Sequence, residues 1–134
     1  MQSDDSLSRR FVILRHEMPA GAPRATHWDF MVERDGALRT WALEREPADG
    51  VDIAALALAD HRLAYLEYEG PVSGNRGEVS RLHGGVCRVK RSDADVCEIE
   101  IAADQLRGQV LLTREDDRDH WTFRFSSGSV ATPR

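Results

Sequence analysis

From His27 to Glu33 the chain reads His-Trp-Asp-Phe-Met-Val-Glu, and a strand built from it has two unlike faces. Successive side chains of a strand point to opposite sides, so Trp28, Phe30 and Val32 share one face while His27, Asp29 and Met31 share the other. Asp35-Gly36 follows, a pair suited to the positive φ of a two-residue hairpin turn, and then the strand-like run Leu38 to Leu43. Such a turn sets Arg34 opposite Ala37 and Phe30 opposite Trp41. That register gathers Trp28, Phe30, Trp41 and Leu43 on an apolar face that must pack against a core. Opposite it stand His27, Asp29, Met31, Thr40 and Ala42, two potential ligands among mostly small neighbours.

The same logic extends along the chain. Short strand-like runs occur at Phe11 to His16, Val86 to Lys90, Val96 to Ile101, Val110 to Arg114 and His120 to Phe125, separated by turn residues. In the last, Trp121, Phe123 and Phe125 alternate with Thr122 and Arg124. Many short antiparallel strands predict an all-β fold, a compact antiparallel β-barrel with short helical or turn segments. A site on an inner face favours a barrel with an open mouth. Ile53 to Leu66 is ambiguous, its Ala and Leu content favouring helix and its alternation favouring strand. The Gly-rich stretch Gly70 to Gly85 reads as a long loop with a strand at Val79. Residues 1–9 read as a disordered lead and 127–134 as a flexible tail.

Composition narrows the function. A chain of 134 residues is one domain by size, with enough core to fold unaided. Its formal charge of −5 argues against broad, sequence-independent nucleic-acid binding, though not against a local basic groove. Lys90 is the only lysine; the other basic residues are arginines, the better fork for phosphate oxygens. Cys87 and Cys97 lack metal-type spacing and read as buried free thiols. No apolar stretch reaches membrane length and the polar start lacks a signal-peptide core, so the expected location is cytoplasmic, with no membrane partner.

His16, His27 and Asp29 offer two imidazoles and a carboxylate, a ligand set suited to Mn, Zn or Fe(II) with positions left open for water or substrate. A hydrogen-bonded His–Asp pair without metal is the alternative for the same residues. A second cluster is Asp60-His61 with Tyr65 four residues on, where a histidine can exchange protons near neutral pH and a tyrosine can donate to a phosphate oxygen. Packing roles for His61 and Tyr65 compete with that reading. Asn75-Arg76-Gly77 can present an arginine to an anion. His83 and His120 read as turn and surface residues.

The order Phe11-Val-Ile-Leu-Arg-His16, His27-Trp-Asp29-Phe-Met-Val-Glu33, Asp35-Gly36-Ala-Leu-Arg-Thr-Trp41-Ala42, Asp60-His61-Arg-Leu-Ala-Tyr65 and Tyr68-Glu69-Gly70 resembles the 3'-phosphoesterase domain of bacterial DNA ligase D. The segments Leu106-Arg-Gly108, Leu112-Thr-Arg114 and Trp121 extend the likeness over roughly residues 10–126, the expected phosphoesterase-like domain. The resemblance implies a compact antiparallel β-barrel and a manganese-dependent hydrolase, with zinc as a second possibility. Its substrates are DNA 3' ends of primer-templates, trimmed of a terminal ribonucleoside or 3'-phosphate during non-homologous end joining, with a separate ligase or polymerase as partner. It implies that His16, His27 and Asp29 hold the metal and that His61 and Tyr65 contact the scissile phosphate. It also implies that Leu56 to Asp60 is a strand leading into a turn.

Several positions depart from the family pattern. Met31 stands where the family has an arginine two residues after the metal-binding aspartate, and Ile53 falls where a second arginine precedes the site histidine by eight. Glu17 to Thr26 is longer than the usual spacer and carries Pro19 and Pro23, and the lead is shorter than the family's N-terminal arm. Arg76, Arg39 or Arg24 are the substitutes available from other directions. The competing reading is therefore a metal-binding accessory or DNA-end-binding module with weakened catalysis. A two-histidine, one-carboxylate oxygenase is a third, since Met31 would suit an apolar metal pocket.

Overall fold

A computed structural model describes residues 8–128. Nine strands follow one another: β1 (Arg9–Glu17), β2 (His27–Arg34), β3 (Ala37–Leu43), β4 (Asp52–His61), β5 (Gly70–Pro71), β6 (Glu78–Ser92), β7 (Val96–Ala103), β8 (Arg107–Arg114) and β9 (His120–Ser127). A 3₁₀ turn, Leu63–Leu66, lies between β4 and β5. The strands pair in the order β1-β2-β3-β4-β9-β8-β7-β6, and β6 pairs back onto β1, so eight antiparallel strands close a barrel while the short β5 hangs on the outer end of β6. Closure leaves the eight barrel strands without a free edge for another chain to pair with.

The two-faced strand dictates which side is in. Pairing of Arg34 with Ala37 and Phe30 with Trp41 is the register that a two-residue turn at Asp35-Gly36 requires, and both turn residues have positive φ, 52° and 80°. Phe30, Val32, Trp41 and Leu43 then face the interior with Phe11, Ile13, Ile53, Ile99, Leu112 and Phe123. Phe30 meets the Phe123 ring edge-on at 5.4 Å and Trp41 meets Trp121 at 5.8 Å, the offset geometry that aromatic quadrupoles favour.

His27, Asp29 and Met31 face out. They join a second, smaller apolar cluster, Val12, Leu14, Met31, Leu38, Leu66 and Val79, roofed by Leu63, Tyr65 and Val72. The expectation of a site inside an open-mouthed barrel is thereby corrected: the interior is filled by aromatic and aliphatic side chains, and the site lies on the outer wall beneath the 3₁₀ turn and β5. Ile53 is corrected with it. At 1% exposure it belongs to the interior core, so an arginine there would point away from His61 and into apolar packing.

Three local readings change as well. Ile53 to His61 is strand and the helical content is confined to Leu63–Leu66, because cross-strand pairing with β3 and β9 overrides the Ala and Leu preference. Of Gly70 to Gly85, read as a long loop, only residues 72–77 are loop: Gly70–Pro71 is β5, and from Glu78 the chain is strand for 15 residues. Gly85 fits mid-strand because a Cβ there would overlap the Ala102 carbonyl, and a bulge at Leu82 lets β6 bend from β1 toward β7. Within the expected lead, Arg9 already belongs to β1, and Ser127 of the expected tail still belongs to β9; residues 1–7 and 129–134 lie outside the described part. Among the described residues no helix is long and apolar enough to cross a membrane.

Gly77 joins the fold to the site. Its φ is +81°, and a Cβ on it would overlap the Glu17 carbonyl oxygen at the end of β1. Gly77→Ala should therefore lower the unfolding free energy by more than ~1 kcal/mol, measured by urea denaturation. An unchanged midpoint would contradict this close approach.

Candidate metal centre

Antiparallel pairing of β1 with β2 sets His16 directly across from His27 and Leu14 across from Asp29. Opposed residues project to the same side, so both imidazoles and the carboxylate stand together on the outer wall. Their rings are 4.7 Å apart, and one ligand atom from each of the three residues lies within 4.8 Å of the others. His27 and Asp29 are buried and His16 is partly so.

The protons on the rings are fixed from behind. His27 Nδ1 lies 2.9 Å from the Ala25 carbonyl oxygen and His16 Nε2 lies 2.6 Å from that of Arg76. A carbonyl only accepts, so each of those nitrogens donates, and in a neutral ring the other nitrogen carries a lone pair. These second nitrogens, His27 Nε2 and His16 Nδ1, each face an Asp29 oxygen at 3.4 Å. Lone pairs thus converge from three side chains. His27 Nε2 and Asp29 Oδ1 are buried with no hydrogen-bond partner, an arrangement that calls for a proton or a cation between them.

Electrostatics agree with that demand. Burial would raise the Asp29 pKa, but the two imidazoles beside the carboxylate outweigh it and hold the carboxyl at about 2. The same Asp29 contact raises the His16 pKa against partial burial. The donor set, two imidazole nitrogens and one carboxylate, with each ring oriented by a backbone carbonyl, fits a divalent transition metal.

The group lies in a cleft of about 780 Å³. His61, Tyr65 and Arg76 line it too, so the metal-ligand, catalytic and substrate-binding candidates from the sequence border one space. His61 reaches it because the bulge in the β3–β4 pairing sets it opposite Leu38, on the outer wall. Its Nδ1 donates to the Ala59 carbonyl at 2.9 Å, leaving Nε2 as the acceptor, and the Tyr65 ring packs edge-on at 5.8 Å. Arg76 contributes differently from expectation: its carbonyl orients His16, while its guanidinium bonds to Ser73. Arg24, one of the substitute cations named from the sequence, and Arg62, which was not singled out there, both line the cleft, whereas Arg39 is not among its lining residues. Arg24 comes from the long Glu17 to Thr26 segment, which folds over as one wall, and its charge acts on His16. Arg62 had a signal in its position next to His61. Met31 lines the cleft with its side chain 1% exposed. His83 and His120 are not among the lining residues.

The sequence profile of the DNA ligase D 3'-phosphoesterase domain matches residues 16–123. The multifunctional non-homologous end joining protein LigD of Mycobacterium bovis is 39% identical over 70 residues, as is the LigD DNA repair protein of one Mycobacterium tuberculosis strain, with 37% for another. In each case the matched segment covers 50% of this chain and 9% of the relative. The profile match begins at the first of the three converging ligands and runs to the last aromatic of the barrel core, so the chain belongs to the DNA ligase D 3'-phosphoesterase domain family.

Proposed function

We propose that the chain is a metal-dependent 3'-phosphoesterase that trims 3'-phosphate or 3'-ribonucleoside ends of DNA for end joining, a separate ligase or polymerase then acting on the cleaned end. The observation that carries this reading is the convergence of three lone-pair donors, two of them buried and with atoms lacking partners, on a cleft that also holds an imidazole, a phenol and three guanidinium groups. His16 Nδ1, His27 Nε2 and the Asp29 carboxylate would hold a divalent ion, manganese in the first place and zinc in the second. Such an ion supplies Lewis acidity toward a phosphate oxygen and toward water.

The remaining residues act on the phosphate themselves. His61, with Nδ1 committed to a carbonyl, presents Nε2 as the atom that takes a proton from water or returns one to the leaving oxygen. Tyr65 donates its hydroxyl proton to a phosphate oxygen. Arg24, Arg62 and Arg76 supply positive charge from the cleft walls, in place of the arginine that the family pattern sets at position 31. The accessory-module reading draws on one specific observation, the buried and apolar Met31 at that position.

Protein purified without chelator should carry one divalent ion per chain by elemental analysis, and His27→Ala or Asp29→Ala should lose it. The ion competes with protons for the two ring nitrogens, so affinity should fall as pH drops through the histidine range near about 6.5. Because Asp29 raises the His16 pKa, the fall should begin above that value; Asp29, at about 2, stays ionised throughout.

His61→Ala should reduce phosphate release from a 3'-phosphorylated primer-template by roughly 10²–10⁴-fold, with metal content and thermal unfolding unchanged. Loss of metal or early unfolding would assign His61 to the scaffold instead.

Met31→Arg should cost about 1–3 kcal/mol in denaturant unfolding, because it overfills the small outer cluster. The long side chain can extend its charge into the adjoining cleft, where a charge-assisted contact worth about 1.5–3 kcal/mol should raise phosphate release roughly ten- to a hundredfold. A folded, metal-loaded but inert variant would favour the accessory module.

A further inference from the structure

At the end of the barrel where β2 turns into β3, the interior face finishes in arginines rather than apolar residues. Arg9 lies two positions before Phe11, Arg34 two after Val32 and Arg39 two before Trp41, so all three have the parity of the interior. Together with Trp41, Ser92 and Cys97 they line a cavity of about 210 Å³. It is separate from the metal cleft: Arg34 is about 16 Å along β2 from Asp29 and points to the opposite side of the sheet.

Hydrogen-bond donors dominate this mouth. The Arg39 guanidinium stacks 4.5 Å from the Trp41 ring and 5.7 Å from Trp121, and its Nη1 donates to Ser92 Oγ at 3.1 Å. Among the described residues neither Arg34 nor Arg39 has a carboxylate within ion-pair distance, although both are partly buried. The Trp41 indole N–H is buried without an acceptor. Burial raises the Cys97 pKa, so that thiol adds no negative charge. Asp35, on the exposed turn, is the acidic residue of the lining. Partly buried guanidinium groups around one small space, with no carboxylate paired to Arg34 or Arg39, call for an anionic acceptor. The cavity is smaller than the roughly 300–1,000 Å³ of ordinary ligand pockets, which suits one tetrahedral anion rather than a whole nucleotide. Aromatic stacking holds Arg39 by its face and leaves its edge for oxygen atoms.

We propose that this barrel mouth, formed around Arg34, Arg39 and Trp41, is a second anion site that binds a phosphate group, either free phosphate or one phosphate of a nucleic-acid backbone. Its occupancy does not depend on the metal centre. Inorganic phosphate titrated into the ¹⁵N-labelled full chain, in chelator, should shift the Trp41 indole N–H resonance saturably. Arg34→Gln, at a turn where the side chain makes no ion pair, should weaken that binding roughly tenfold, the effect of one lost charge-assisted contact. His27→Ala should leave it unchanged. A short DNA duplex ending in a 3'-hydroxyl that displaces phosphate in an Arg34-dependent way assigns the site to a nucleic-acid backbone; a duplex without effect assigns it to free phosphate. No saturable shift, the same shift in Arg34→Gln, or its loss in His27→Ala would overturn the proposal.

Discussion

The register between β1 and β2 is the constraint on which the rest depends. With His16 opposite His27, the odd-numbered side chains of β2 that hold the site and the even-numbered ones that fill the barrel are separated cleanly. A slip of one residue would bury His27 and Asp29 among aromatic rings and expose Phe30 and Val32 to water. The core therefore enforces the site: Phe30 and Trp41 cannot pack against Phe123 and Trp121 without aiming the carboxylate at the two rings.

Building a polar centre on the outside of a filled barrel creates a second problem, since an outer wall would ordinarily be wet. The small cluster around Leu14, Met31, Leu38 and Leu66 solves it by drying the floor of the cleft, with Tyr65 and Val72 above. Low dielectric strengthens the pull of Asp29 on the two rings and makes its unpartnered oxygen costly to leave bare. Met31 serves this drying. The arginines of the cleft then come from the segments around it, Arg24, Arg62 and Arg76, rather than from the strand that bears Asp29.

Net charge conceals this arrangement. A chain of formal charge −5 gathers arginines both around the cleft of His16, His27 and Asp29 and at one barrel mouth, while Arg10, Arg91 and Arg124 are spent in exposed ion pairs with Glu33, Asp93 and Asp52. Local fields of that kind act over a Debye length of about 8–10 Å, so an anion near either surface meets positive charge regardless of the whole-molecule balance.

The sequence by itself determined the features that repeat at short range. Alternation in His27 to Glu33 and the Asp35-Gly36 turn were enough for the hairpin, its register and its two faces, and the regular spacing of short strands was enough for an antiparallel barrel. Motif order was enough for the family. Which face of the sheet became the inside was decided only by tertiary closure, because parity separates two faces without saying which one the barrel wraps around. The same holds for Ile53, whose distance from His61 along the chain carried no information about the wall it faces. Ring tautomers were equally invisible, since they depend on the Ala25 and Arg76 carbonyls, and a backbone oxygen 60 residues away leaves no mark in composition or pattern. Continuity of β6 through Gly84-Gly85 also came from the fold, where strands pressed close together turned a residue that reads as a turn into one that the packing requires.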